Sequence, residues 1–164
     1  MTEELLHVAR DVARSTAWLG QIRYDAVRRP ATRLWATDRF EVWLLGWLPG
    51  QSVELHDHGG SAAAFTVVRG SLVELTAVGP GSLVERQLDP GEGRVLATDA
   101  VHDVLNMSMT PAASIHVYSP ALTTMGFYDT STLALTRVEP VEEEAPIRDD
   151  RTPVGSPVRS LVRL

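Results

Sequence analysis

Between residues 40 and 138 the chain breaks into short apolar or alternating runs, each closed by glycine, proline or aspartate. They are "FEVWLLGWLPG", "AAFTVVRG", "SLVELTAVGPG", "LVERQLDPGEG", "RVLATDAVHDVLNM", "SIHVYSP" and "LALTRVE". Such runs suit strands joined by tight turns, and no helical period intervenes to suggest parallel βαβ units. The pattern therefore predicts a mainly β fold, a sandwich or small β-barrel. With 164 residues and no repeat of fixed period, one such domain with a single core is expected.

The flanks read differently. In residues 3–19, Leu5, Leu6, Val8, Ala9, Val12, Ala13 and Leu19 recur at spacings near three and four, the mark of an amphipathic helix. Thr2 suits its N-cap, and Glu3 and Glu4 favour the positive end of its dipole. A shorter helix or an irregular segment is expected through "IRYDAVRRP", ended by Pro30. Residues 1–30 are thus expected to form a helical segment packed on a barrel of residues 31–138. Beyond it, "EPVEEEAPIRDDRTPVGSPVRSLVRL" carries four prolines and many charges. Residues 139–164, including Glu142, Glu143 and Glu144, are expected to be an extended or disordered, solvated tail.

Composition removes several functional classes. A net charge of −6 argues against a nucleic-acid partner, which calls for a Lys/Arg stripe facing phosphates. The longest apolar stretch, Val42 to Leu48, is far too short to span a membrane. The opening "MTEELLHVARD" is too charged for a secretion signal, so a cytoplasmic location is expected. Cysteine is absent, which leaves His, Asp and Glu as the only strong metal ligands.

Four of the five histidines fall in the β region: His56, His58, His102 and His116. On an extended chain His56 and His58 share a face and can point together into a barrel. Two buried imidazoles need partners, and a metal ion satisfies both; the competing reading is a solvent face that binds nothing. The spacing Gly50-x5-His56-x-His58, with eleven residues between His58 and Gly70, resembles the first motif of the cupin barrels, G-x5-H-x-H-x3-4-E-x6-G. Downstream, Gly91 and His102-x3-Asn106 resemble the second. The acidic position of the first motif is Ala63. Three neutral imidazoles without a protein anion suit Fe, Zn, Cu or Ni and favour a substrate that brings negative charge, such as a thiolate.

Further segments sharpen the resemblance. "WLPGQ" followed by His56-Asp57-His58, then His102-x3-Asn106, then Ser114-Ile-His116-Val-Tyr118-Ser-Pro120 are together similar to the bacterial thiol dioxygenases of the cysteine dioxygenase type I family, within the cupin superfamily. The resemblance spans roughly residues 31–128. It implies a cupin barrel (a small jelly roll) with N-terminal helices, and Fe(II) held by His56, His58 and His102. It also implies a Ser114-His116-Tyr118 hydrogen-bond chain beside the iron and an arginine, Arg33, that clamps the substrate carboxylate. The implied partners are a small thiol and O2. The implied reaction is oxidation of L-cysteine to cysteine sulfinic acid, both oxygen atoms passing to sulfur.

Two departures stand out: Ala63 replaces the cysteine of members that crosslink it to the tyrosine, and Ala31 replaces a tyrosine two residues before the clamping arginine. Arg23, Arg28, Arg29 and Arg39 lie near Arg33 in sequence and compete for its role. Alternatives remain open at this point: the same chemistry on 3-mercaptopropionate, whose specialists are expected to carry glutamine in place of the arginine, or a non-catalytic metal-binding cupin. Trp18, Trp35, Trp43 and Trp47 are expected as core or rim anchors, and the resemblance puts Trp47 near the site. Asp57 is expected on the opposite face from its two histidines, and His7 on the polar side of the N-terminal helix.

Overall fold

The structure, a computed structural model, describes residues 2–141. Helix α1 (Thr2–Arg14) is followed by a single 3-10 turn (Leu19–Gln21). Ten strands then run β1 (Ala31–Ala36), β2 (Glu41–Trp47), β3 (Ala62–Arg69), β4 (Leu72–Gly79), β5 (Ser82–Leu88), β6 (Gly93–Leu96), β7 (His102–Leu105), β8 (Ala112–Ser119), β9 (Thr124–Tyr128) and β10 (Leu135–Pro140). The helix stops at Arg14, short of residue 19, because Ser15 turns the chain: its hydroxyl accepts from the Ala17 amide, the local competition that hydroxyl residues offer a helix. Trp18 folds back into the core and donates its indole N–H to the Ala13 carbonyl at 3.3 Å. Residues 22–30 are largely irregular. β10 carries Glu139 and Pro140, placed by the sequence in the tail, in pairing with β9. The rest of the expected tail, apart from Val141, lies outside the described residues.

All pairings are antiparallel. One sheet has the order β1-β2-β8-β3-β6, a second β5-β4-β7, a third β10-β9. The segment before β3 joins the last two: Ser52 bridges Leu105, and His56 bridges both His102 and Phe127. The residues carrying the His-x-His pair are thus a seam between β7 and β9 rather than a regular strand.

Two apolar clusters lie on opposite faces of the five-stranded sheet. Inside the barrel are Trp43, Leu45, Trp47, Ala63, Phe65, Val67, Leu72, Val104 and Tyr118. On the outer face Val42, Leu44, Ala62, Ala64, Ile115 and Val117 pack under Leu5, Leu6 and Ala9 of α1. Because the helix covers one face and the barrel fills behind the other, β2 is buried at every position, and from Val42 onward its sequence is apolar without alternation. Gly46 sets how closely the irregular 22–30 segment can approach this strand. A Cβ there would collide with the Arg23 carbonyl oxygen, so glycine lets the segment lie directly on β2. Gln51 fastens it from the other side by donating to the Asp25 carbonyl at 2.7 Å.

Candidate metal centre

Alternation still governs the seam. His56 and His58 turn inward and Asp57 turns away, where its carboxylate accepts from the Gly59 and Gly126 amides at 2.8 and 3.0 Å and from the Tyr128 hydroxyl at 2.5 Å. That triple anchor ties the histidine seam to β9. His102 enters from β7. The three imidazoles are almost fully buried, and one nitrogen from each lies within 4.8 Å of the others.

The outer partners of these rings decide which nitrogen faces inward. His56 Nδ1 lies 2.8 Å from the Glu54 carbonyl; a carbonyl only accepts, so Nδ1 carries the proton and Nε2 is a free lone pair. His102 Nδ1 lies 3.0 Å from Glu74 Oε1, with the same consequence. His102 Nε2 and His58 Nε2 face each other at 3.4 Å. Burial, reinforced by the neighbouring imidazoles, holds His56 and His58 well below the ordinary histidine pKa, so both are neutral near pH 7. Buried lone pairs converging on one point are the donor set of a divalent metal with imidazole preference, and these residues fit it.

Among the described residues no carboxylate joins the set; the position that the resemblance marks for an acid is Ala63. Ala63 is buried on β3 directly opposite Tyr118 of β8. Its methyl leaves the tyrosine ring free, and Tyr118 packs edge-on against His58 at 5.1 Å between ring centroids.

Behind the tyrosine runs a hydrogen-bond chain. Trp47, on β2, can only donate, and its indole N–H reaches Ser114 Oγ at 2.9 Å. The serine keeps a proton and a second lone pair, and His116 Nε2 lies 2.8 Å from its oxygen. With the serine proton turned to Nε2, His116, held neutral by burial, carries its own proton on Nδ1, which faces the Tyr118 oxygen at 3.3 Å. In that tautomer the phenol oxygen accepts and its hydroxyl proton is directed onward; the other tautomer reverses both bonds. Burial raises the Tyr118 pKa strongly, so the proton is kept. Phe65 stacks on the His116 ring at 4.9 Å. Trp47 is a member of this chain that the sequence did not reveal, since only the pairing of β2 with β8 brings it there.

The arginines divide. Arg33, on β1, is paired across the strand with Trp43; its guanidinium lies over that ring and 3.7 Å from buried Glu41. Arg29, on the irregular segment over β2, sits above the Trp47 ring at 4.7 Å. Its Nη1 is sealed from solvent and has no hydrogen-bond partner among the described residues. Its charge is felt by His56, His116 and Tyr118. Arg29 was one of several arginines in the sequence, and nothing in its spacing distinguished it.

The described helices include none long and apolar enough to cross a membrane. The family model for cysteine dioxygenase type I matches residues 7–131. The chain belongs to this family. It is similar to the human cysteine dioxygenase type 1, with 27% identity over 128 residues that cover 71% of this chain and 64% of that one. The bovine enzyme is 29% identical over 104 residues, covering 57% and 52%. The chain thus spans somewhat less than two thirds of the length of these curated relatives. Among solved structures, the TT1209 protein from Thermus thermophilus aligns with TM-score 0.56 and 27% identity over 63% of this chain and 94% of that one. A Klebsiella pneumoniae protein with a double-stranded β-helix domain aligns with TM-score 0.57 and 16% identity, covering 79% and 98%. The fold is the cupin barrel, with an N-terminal helix laid on it.

Proposed function

We propose that this protein is a thiol dioxygenase that oxidises L-cysteine to cysteine sulfinic acid. The observation that carries the reading is the combination of three buried, converging imidazoles, no carboxylate among them in the described residues, and a tyrosine packed against His58. An Fe(II) ion held by His56, His58 and His102 would supply the place where thiolate sulfur and dioxygen meet. The thiol proton is lost and both oxygen atoms end on sulfur; sulfur gives up the electrons that dioxygen takes, so no outside reductant enters. Tyr118, its hydroxyl proton pointed onward by the Trp47–Ser114–His116 chain, orients the reacting groups by hydrogen bonding. A reducing compartment, the cytoplasm, suits a free-thiol substrate and a chain without cysteine.

The carboxylate of the substrate needs a cation. Arg33 is the residue that the resemblance implies, and it remains one assignment. The buried, unsatisfied Nη1 of Arg29, above Trp47, favours a second: Arg29 makes the contact while Glu41 occupies Arg33. Cysteamine, which lacks the carboxylate, separates them. The arginine that binds carboxylate is the one whose change to Met lowers kcat/KM for cysteine by about 10²-fold yet leaves cysteamine turnover within a factor of about three. Turnover of 3-mercaptopropionate in preference to cysteine would move the reading to an amine-free thiol. A metal-loaded protein that turns over none of the three would overturn it.

A further inference from the structure

The three inward histidines have unlike outer partners. His56 Nδ1 meets a backbone carbonyl, and His58 Nδ1 is buried without a hydrogen-bond partner among the described residues. His102 alone meets a carboxylate. Glu74 is fully buried on β4, on the face it shares with Thr76, the cross-strand partner of His102. One carboxylate oxygen accepts from His102 at 3.0 Å; the other accepts from Arg94 Nε at 2.6 Å. Arg94 comes from β6, in the five-stranded sheet, and its side chain is about one-third exposed. An Arg94–Glu74–His102 line therefore runs from the barrel surface to the centre, from the five-stranded sheet to the three-stranded one.

A buried carboxylate is costly unless paired, and apolar residues occupy equivalent inward positions at Leu72 and Val104. We propose that Glu74 is a positioning residue for the metal centre, supplying through His102 the negative charge that Ala63 does not supply directly, with Arg94 setting how much of that charge His102 receives. The inference rests on the metal-centre reading above. A carboxylate on the far side of a ligand imidazole fixes its tautomer and makes the ligating nitrogen more basic. Here the anion is moved from the metal's own coordination sphere to one ring further out. That placement keeps the coordination positions that a ligating glutamate would fill open to substrate, while still stabilising a dication.

Two substitutions separate charge from packing. Glu74→Gln keeps size and an amide oxygen that can accept from His102 Nδ1, while it removes the charge and the oxygen that accepts from Arg94. Arg94→Gln leaves the carboxylate and removes its neutralising partner. With the full chain freed of metal and titrated with Co(II), Glu74→Gln is expected to weaken binding by about 10–100-fold, and Arg94→Gln to change it by no more than a few-fold. With iron bound, the two are expected to shift the Fe(III)/Fe(II) potential in opposite directions, upward for Glu74→Gln and downward for Arg94→Gln. Circular dichroism and melting confirm folding; should Glu74→Gln fail to fold, Glu74→Asp in the same titration retains the charge and is expected to bind more tightly than Glu74→Ala. Wild-type affinity in Glu74→Gln, or shifts of the same sign in both variants, overturns the proposal while leaving the metal reading intact. A wild-type protein that takes up no Co(II) overturns both.

Discussion

Tyr118 and Trp47 stand at the two ends of one hydrogen-bond chain. The Trp47 indole can donate and cannot accept, which fills one lone pair of Ser114 Oγ; with the serine proton turned to His116, the chain runs in one direction to Tyr118. Removing the phenol with Tyr118→Phe is expected to lower kcat by about 10²-fold with metal content unchanged. Trp47→Phe leaves the phenol but removes the donor to Ser114. A smaller loss, about 10-fold in kcat with KM little changed, is expected from steady-state kinetics; equal losses in the two variants would show that polarity plays no part. Ser114, His116 and Tyr118 were legible in the sequence because strand alternation puts them on one face. The Trp47–Ser114 contact, Glu74 and Arg29 were not, since each depends on a pairing of elements distant in sequence.

At the scale of elements, the histidine seam and α1 make different demands. Asp57 collects two amide donors and the Tyr128 hydroxyl, and Asp57→Ala strands all three. A stability loss of about 2–4 kcal/mol by denaturant titration is expected, together with weaker metal binding, because His56 and His58 flank the anchor. Leu6, on the buried side of α1 against the outer face of the barrel, is a contrast. Leu6→Ala is expected to cost about 2–4 kcal/mol while metal affinity stays within about two-fold. Strand positions were read well where turns punctuate apolar runs, as in β4 and β5. β1 and β9 were missed: "ATRLWA" sits beside a basic segment and "TMGFY" is short and interrupted by Gly126, a site where a Cβ would crowd the Asp57 carboxylate at 2.9 Å. The run "RVLATDAVHDVLNM" divides into β6 and β7, because Ala97 to Val101 forms a turn closed by the Ala100 amide on the Ala97 carbonyl.

For the whole molecule, the barrel confines imidazoles that burial keeps neutral: His56, His58 and His116 all have pKa values well below the ordinary 6.5. In the unfolded chain they take protons near pH 6.5, whereas in the fold they resist. Stability of the metal-free protein is thus complete above about pH 7 and falls as pH drops below the unfolded value, by up to about 1.4 kcal/mol per pH unit for each histidine. Melting temperatures recorded from pH 7.5 to 5 check the sign; a metal-free protein that gains stability in that range contradicts the burial argument. Iron held by His56, His58 and His102 for thiol oxidation is open to a direct experiment. The most direct test gives iron-loaded protein L-cysteine under isotopically labelled dioxygen, with His58→Ala beside it. About one dioxygen is expected to be consumed per sulfinate, with both labelled atoms in the product, and the variant is expected to lose iron and activity together. Iron retained by the wild type with no sulfinate formed from cysteine or 3-mercaptopropionate would contradict it.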